Sequence, residues 1–287
     1  MAKVRESGPP ASPCRRLRLA LAPLAVLASL FSAPPLAAAD LPEIQTRGTL
    51  RVLVVLDAHR REFFALDVKQ PGFDREIIEG FAQVRGLKME VINLPSFDDL
   101  IPALLDHRGD VIAAGYRDSE TRRKSIAFTD EVFPNRFVVV TLKPHRVIQT
   151  MEELAKERVG ATRGAATAEA VLAAGLPPAS LDDGIPIGAY VEALHSGRVT
   201  AAVWSVERAL PAQREDPTIQ LGMYLGKPGS LAFGLRKEDT QLRAALNDHI
   251  GRVRRSGAWS RMVIKYFGEN ALTILQQATG PAIPARP

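Results

Sequence analysis

The sequence predicts an α/β fold divided into two lobes, and three observations lead to this prediction. Short apolar runs alternate along the chain with segments whose apolar residues recur at helical spacing, a pattern typical of largely parallel sheets covered by helices. Two strand-like runs, near Val138–Leu142 and Leu231–Arg236, are placed so that the chain leaves a first lobe and later returns to it. The 287 residues are enough for two lobes of ordinary domain size.

The first lobe begins with Leu50–Leu56, whose nearly continuous apolar run predicts a buried strand. Asp74–Gly86 follows and predicts a helix, because its apolar residues recur at helical spacing. The other elements predicted before the second lobe are the strand Met89–Leu94, a helix from an N-cap at Ser96 to Leu105, and the strands Asp110–Ala114 and Phe137–Leu142.

A second set of alternating elements follows Pro144. It comprises the helices Met151–Glu157, Ala165–Ala174 and Tyr190–His195 and the strands Arg158–Thr162 and Thr200–Trp204. After the returning strand, helices are predicted around Leu242–Val253, at Ala258–Phe267 and at Ala271–Gln277. We therefore predict that residues 40–141 and 230–287 form lobe 1 and that residues 142–229 form lobe 2. This topology places a cleft between the lobes, facing the carboxyl ends of both sheets, where open α/β sheets bind ligands.

Residues 1–39 have the order of a secretory signal peptide. Basic residues between Lys3 and Arg18 precede an apolar run from Leu19 to about Ala33, and three alanines ending at Ala39 offer a small-residue cleavage site. The run is shorter than the ~20 apolar residues that span a bilayer. We therefore expect cleavage after Ala39 and a periplasmic protein. Cys14 is the only cysteine and precedes the apolar run, so we expect no lipid anchor.

The leader carries most of the net charge. Five of its residues are basic and one is acidic, so it accounts for four of the five net positive charges of the chain. The remainder is close to neutral, which excludes nucleic acid as a partner, because folds that bind nucleic acid carry a basic surplus. The sequence has no metal-ligand cluster, phosphate loop or dinucleotide motif. We expect a monomer with no cofactor and no metal ion.

Eleven short motifs occur in a fixed order over most of the chain. They are Gly48–Val52, Gly72–Asp74, Leu100–Leu104, Asp110–Gly115, Glu120–Lys124, Ala127–Asp130, Val159–Gly160, Gly197–Val199, Leu246–Asn247, Ser256–Gly257 and Lys265–Gly268. On these motifs the sequence resembles the polar-amino-acid type of extracellular solute-binding protein of ABC importers. The resemblance implies a periplasmic-binding-protein fold of the Venus-flytrap type with two hinge strands. It also implies a ligand held through its carboxylate and docking on an ABC permease in the inner membrane.

The resemblance assigns ligand contacts to individual positions of this chain. Arg122 falls on the family's carboxylate-binding arginine, and a guanidinium presents a planar fork that matches a carboxylate. Phe63 or Phe64 falls near the aromatic residue that packs on the bound ligand. Trp204 is a candidate cleft wall for a flat ligand.

Three positions depart from the family pattern. Arg117 stands where the family has a hydroxyl residue, and Gly164–Thr167 lacks two expected hydroxyls, for which Thr167 is the candidate substitute at a helix N-terminus. Ser205 stands where the family has the acid that pairs with the ligand's α-ammonium group. A buried ammonium group without a carboxylate partner is costly. We therefore expect a small organic anion that lacks an α-ammonium group.

Other functions stay open at this point. An enzyme on the same fold, resembling the periplasmic dehydratases that act on prephenate-like acids, would need a general acid, for which Glu62, Glu169 and Asp57 are candidates. Asp57 or Glu62 would also replace the missing partner of an ammonium group. A ligand-sensing accessory protein without a transport role is a further alternative. We favour solute capture without catalysis, since the sequence contains no catalytic motif.

Overall fold

The computed structural model describes residues 40–56 and 60–280. Residues 1–39, 57–59 and 281–287 lie outside the described residues, and with them the predicted signal peptide and the candidate Asp57. Among the described residues, no helix combines the length and the apolar character needed to cross a bilayer.

The first sheet contains five strands in the order β2-β1-β3-β10-β4. Their bounds are β1 Thr49–Val54, β2 Lys88–Asn93, β3 Val111–Ile112, β4 Ala127–Phe128 and β10 Gly234–Leu235. Strand β1 pairs in parallel with β2 and β3, whereas β10 runs antiparallel between β3 and β4. The predicted strands at Leu50, Met89 and Asp110 are therefore confirmed, and their carboxyl ends share one edge of the sheet.

The second sheet also contains five strands, in the order β7-β6-β8-β5-β9. Their bounds are β5 Phe133–Leu142, β6 Val159–Gly160, β7 Leu181–Asp182, β8 Ala201–Ser205 and β9 Ile219–Leu231. Strand β6 is parallel to β7 and β8, and the long strand β5 runs antiparallel to both β8 and β9. Sheet pairing thus joins β5 to the second sheet, while the exact lobe boundaries stay a prediction.

The returning connection differs from the sequence prediction. Leu231–Arg236 was expected to form the crossing strand, but the long strand is β9, and only Gly234–Leu235 continues into the first sheet. Three glycines and a proline in β9 interrupt its apolar pattern, which hides the strand in the sequence. The register of β5 against β9 shifts between Asn135 and Phe137, as expected where extra residues bulge out of one strand.

Helices cover both sheets. Their bounds are α1 Leu41–Arg47, α2 Phe73–Val84, α3 Leu100–Leu105, α4 Glu120–Arg123, α5 Met151–Leu154, α6 Ala166–Ala173, α7 Tyr190–His195, α8 Val206–Glu215, α9 Thr240–Arg255, α10 Ala258–Phe267 and α11 Ala271–Thr279. The predictions for α7 and α10 are confirmed to the residue. Ser96 occupies the predicted N-cap position, but the helical segment opens with a 3₁₀ turn at Phe97–Asp99 before α3, and the Ser96 hydroxyl donates to the Asp99 carboxylate at 2.8 Å instead of accepting a backbone N–H.

Helix α8 was not predicted, because Pro211 and several charged residues obscure its periodicity. Its apolar side chains face two cores. Val206 and Leu210 belong to the core of the first sheet, whereas Ala209 belongs to a core of the second sheet. Burying a side chain of the size of Val206 or Leu210 contributes roughly 1.5–3 kcal/mol. Helix α8 therefore packs at the junction of the two sheets.

Candidate functional site

The loop after β3 carries the arginine pair that the sequence singled out. It starts with two residues of positive φ, Ala114 at 78° and Gly115 at 65°. A non-glycine residue in this region is strained by about 1–3 kcal/mol, so the turn needs outside support. The buried Asp74 carboxylate accepts the Gly115 N–H at 2.7 Å, and the Arg60 guanidinium donates to the Gly115 carbonyl at 2.5 Å. These contacts fix the direction in which the loop leaves the sheet.

The buried position also changes the pKa of the Asp74 carboxyl group. Burial raises its pKa from 3.8 to about 7, and the opposing contributions of the Gly115 and Ala114 amides and of Arg60 are smaller. The carboxyl group is 2% exposed and contacts the back of the loop. Asp74 therefore supports the site and does not belong to the ligand surface.

Arg122 is held in place by its neighbours in the same loop. Its Nη1 donates to the Arg117 carbonyl at 2.7 Å, and its guanidinium carbon lies 4.0 Å from the centroid of the Tyr116 ring. Ser119 caps the short helix α4 and accepts the Arg122 backbone N–H at 3.4 Å. Among the described contacts, only one N–H of the guanidinium is used. The fork is oriented in advance and keeps donors for an anion.

Arg117 points toward the long strand of the second sheet. Its guanidinium donates to the Asn135 side-chain oxygen and lies 4.6 Å from the centroid of the Phe137 ring. Burial lowers the pKa of Arg117, the field of Glu207 raises it, and the field of Arg122 lowers it. Arginine stays protonated through such shifts. The loop of the first sheet therefore delivers a permanent positive charge to the junction of the two sheets.

Glu207 is a functional candidate that the sequence analysis missed. It is the second residue of α8, its side chain is 5% exposed, and its Oε2 is buried without a hydrogen-bond partner. Ser205 occupies the N-cap position of α8 and pairs with Phe137 across β8 and β5. Ser205, Phe137, Arg117 and Glu207 are thus neighbours. The signal that would have found Glu207 is an acid in the first helical turn after a buried strand.

Phe63 and Phe64, the predicted ligand-packing aromatics, lie in the core of the first sheet. Phe63 and Phe64 are each 2% exposed in the core of the first sheet, where they pack against other apolar side chains. The rings that contact the two arginines are Phe137 and Tyr116. Phe97 stacks on Tyr116 with centroids 6.5 Å apart at an angle of 6°. The Arg60 guanidinium lies 4.9 Å from the Phe97 ring centroid. We therefore assign Phe63 and Phe64 a packing role.

Trp204 lies at the side of the second sheet. It is buried and makes an edge contact with the Tyr190 ring at 5.5 Å between centroids. It also lines a cavity of about 230 Å³, whose lining includes Arg61 and Glu62 from the segment after β1. Trp204 therefore lies between elements of both lobes and keeps its candidacy as a cleft wall.

Thr167 lies in the first turn of α6, where its Oγ1 is buried without a hydrogen-bond partner. The strand that precedes α6 is β6, which is parallel to β8, so Thr167 and Ser205 come from the same edge of the second sheet. Glu169 is exposed on α6, and Glu62 lies 3.6 Å from Arg61. The structure thus brings Arg117 and Arg122 together and pairs Ser205 with Phe137, the residue whose ring lies beside Arg117. Neither Glu62 nor Glu169 has a described contact with these two arginines.

Comparisons with known proteins agree with this architecture. A family described as bacterial extracellular solute-binding proteins, family 3, matches residues 50–269. A probable histidine-binding protein of Campylobacter jejuni is 25% identical over 206 residues, covering 71% of this chain and 79% of that protein.

Solved structures give the same result. A mutant of ArgBP from T. maritima superposes with a TM-score of 0.62 and 26% identity, covering 79% of this chain and 99% of the other. An ancestral amino acid-binding protein, described as a precursor of cyclohexadienyl dehydratase, has a TM-score of 0.64 at 24% identity, with coverages of 79% and 98%, and supports the fold. The fold is that of periplasmic binding proteins, with two α/β lobes, and the chain belongs to the bacterial extracellular solute-binding proteins of family 3.

Proposed function

We propose that this protein captures a small carboxylate-bearing solute, an amino acid or a related organic anion, for import through an ABC permease in the inner membrane. Its family supports solute binding for import. The observation that carries the ligand class is the Arg122 guanidinium, oriented by the Arg117 carbonyl and by Tyr116. Phe97 stacks on the Tyr116 ring and extends the aromatic surface. A bidentate pair with this fork is the strongest polar contact that a carboxylate can make there.

The charges around Arg122 favour an anion without an α-ammonium group. Arg117 and Arg122 are cations, Ser205 is uncharged, and the field of Glu207 falls on Arg117. If Glu207 balances Arg117, then the charge of Arg122 remains for the ligand. A second cation brought into a partly desolvated site would be repelled by interactions worth several kcal/mol. The ligand that balances the site therefore carries a net negative charge.

Binding accounts for the site better than catalysis does. A dehydratase would place a general acid within hydrogen-bond reach of the bound substrate. Glu62 faces Arg61, and Glu169 is exposed on α6. Neither has a described contact with Arg117 or Arg122. The relative named above as a probable histidine-binding protein supports the same preference.

We further propose that the leader is removed after Ala39 and that the protein works in the periplasm without a lipid anchor. The order of basic residues, apolar run and alanines supports this proposal.

Calorimetry on the exported protein tests the ligand class. We expect an organic acid to bind more tightly than the amino acid of the same carbon skeleton. Arg122→Ala should weaken that binding by roughly 2–5 kcal/mol, because the ligand carboxylate would be left without its partner. Arg123→Ala is the matched control, since Arg123 is an exposed neighbour that pairs with Asp118. Tighter binding of the zwitterion, or equal losses in the two variants, would overturn the proposal.

A further inference from the structure

A larger cavity lies away from the arginine pair, between β9, α8 and α11. Its volume is about 680 Å³, and it is lined by Arg136, Gln149, Gln213, Leu221, Gly222, Tyr224, Asn270, Thr273, Ile274 and Gln277. Four of these residues carry side-chain amides and none is acidic. The cavity contains one cation and several groups able to donate hydrogen bonds. This composition is unlike that of a gap left between packed apolar surfaces.

Arg136 provides the cation, and its position on β5 separates it from the solute site. Its neighbours Asn135 and Phe137 contact Arg117. Successive side chains of a strand point to opposite faces, so Arg136 points away from Arg117. Its contacts agree, since its Nε donates to the Gly226 carbonyl at 3.0 Å, where β9 bulges away from β5.

The guanidinium of Arg136 is only partly satisfied. Its Nη1 donates to the carbonyls of Ala278 at 3.2 Å and Gly280 at 2.9 Å, at the end of α11. Its Nη2 is buried without a hydrogen-bond partner, and the residue is 2% exposed. Among residues 40–56 and 60–280, no carboxylate forms an ion pair with it. Burial lowers the pKa of Arg136, as expected for a charge removed from water. A buried charge without a counter-ion is costly.

We propose that this cavity is a second binding site, in which a small oxyanion, a carboxylate or a phosphate group, pairs with Arg136. The unused Nη2 carries two N–H groups that can donate to the oxygens of such a group. Gln213 already donates to the Ile219 carbonyl at 3.0 Å, and the Tyr224 hydroxyl donates to the Ile274 carbonyl at 3.1 Å. Gln149 and Thr273 remain as donors for the rest of the ligand.

A purely structural role for Arg136 makes a different prediction. As a clamp for the end of α11, the side chain needs only its three hydrogen bonds to the carbonyls of Gly226, Ala278 and Gly280. In that role the Nη2 stays without an acceptor, and the charge faces the Tyr224 ring, whose centroid lies 5.6 Å from the guanidinium carbon. Saturable anion binding distinguishes the two roles.

The test uses calorimetry on the exported protein, with inorganic phosphate, acetate and citrate as probes. We expect at least one probe to bind saturably, and that binding to persist in Arg122→Ala, which removes the anion-binding group of the solute site. Phosphate binding without acetate or citrate binding would indicate a phosphoryl ligand, and the reverse a carboxylate.

Thr273→Glu is the decisive variant. Thr273 is exposed on α11 and lines the cavity, so a glutamate there can pair with Arg136 without disturbing the core. We expect it to weaken probe binding about tenfold or more. Gln276→Glu adds the same charge at an exposed position of α11 outside the lining and should leave binding unchanged. Arg136→Gln should also lose binding, and if it unfolds, Thr273→Glu still decides.

The proposal is overturned if no probe binds the wild-type protein saturably. It is also overturned if binding survives Thr273→Glu or disappears in Arg122→Ala. Because neither Thr273 nor Arg136 belongs to the solute site, solute binding should be retained in Thr273→Glu. The loss of probe binding in Thr273→Glu therefore tests the second site even if the proposal for the solute site is wrong.

Discussion

The field of Glu207 acts on Arg117 across the junction of the two sheets, although no hydrogen bond joins the two side chains within the described structure. Arg117 comes from the loop after β3, and Glu207 comes from the first turn of α8. Their attraction therefore connects elements that follow strands of different sheets. A charged ligand bound between the sheets would interact with both side chains.

Removing the charge of Glu207 should strengthen anion binding. In Glu207→Gln the repulsion between this carboxylate and an anionic ligand disappears, so we expect a gain of ~1 kcal/mol. Calorimetry with the preferred organic acid measures it, and Glu215→Gln, at an exposed position of the same helix, is the control. A large loss of affinity instead would identify Glu207 as the acceptor of a cationic group of the ligand.

Asp74 should make stability depend on pH. Its pKa in the folded protein is about 7, above the ordinary value of 3.8. A raised folded pKa means that its contribution is complete below about pH 4 and is lost as the pH rises to about 7. The loss is roughly 4 kcal/mol at most, since each pKa unit corresponds to about 1.4 kcal/mol.

Chemical denaturation across that pH range measures the effect. Asp74→Asn cannot ionise, so its stability should vary less with pH than that of the wild type. Asp106→Asn, which removes an exposed carboxylate, should follow the wild type. Parallel profiles for Asp74→Asn and the wild type would contradict a raised pKa.

Gly222 should be intolerant of a side chain. A Cβ at this position in β9 would lie 2.3 Å from the Ile148 carbonyl oxygen, whereas a Cβ at Gly229 of the same strand would meet only the Asn135 oxygen at 3.6 Å. We expect Gly222→Ala to lower the free energy of unfolding by about 1–3 kcal/mol, because the backbone has to shift. Gly229→Ala should change it much less. Denaturant unfolding compares the two, and equal effects would contradict the close approach.

The leader should be absent from the exported protein. Intact-mass measurement is expected to show a chain that starts at Asp40 without a lipid. A retained N-terminus or an added lipid mass would contradict the predicted cleavage.

Sequence patterns predicted the elements whose surroundings are simple. Helix α10 buries one face in a single core, and strand β1 is covered on both faces of its sheet, so each has a simple apolar pattern. Strand β9 and helix α8 were missed because their residues serve two sheets or form a bulge, so no single periodicity describes them. Arg117 and Arg122 were found from the resemblance to the family. Glu207 was not, because its burial depends on the packing of α8 at the junction.

The aromatic cluster of the first sheet has a consequence for when this protein can fold. Phe63, Phe73, Phe133 and Phe267 pack with ring centroids 4.7–6.3 Å apart, so residues near both ends of the chain complete one core. The second sheet draws its strands from the continuous stretch of residues 133–231. During synthesis the second sheet can therefore assemble first, because Phe63 and Phe73 lack their contacts with Phe267 until α10 has been made. The core of the first sheet, by contrast, is complete only when both the amino-terminal segment and α10 are present, so its long-range contacts form later.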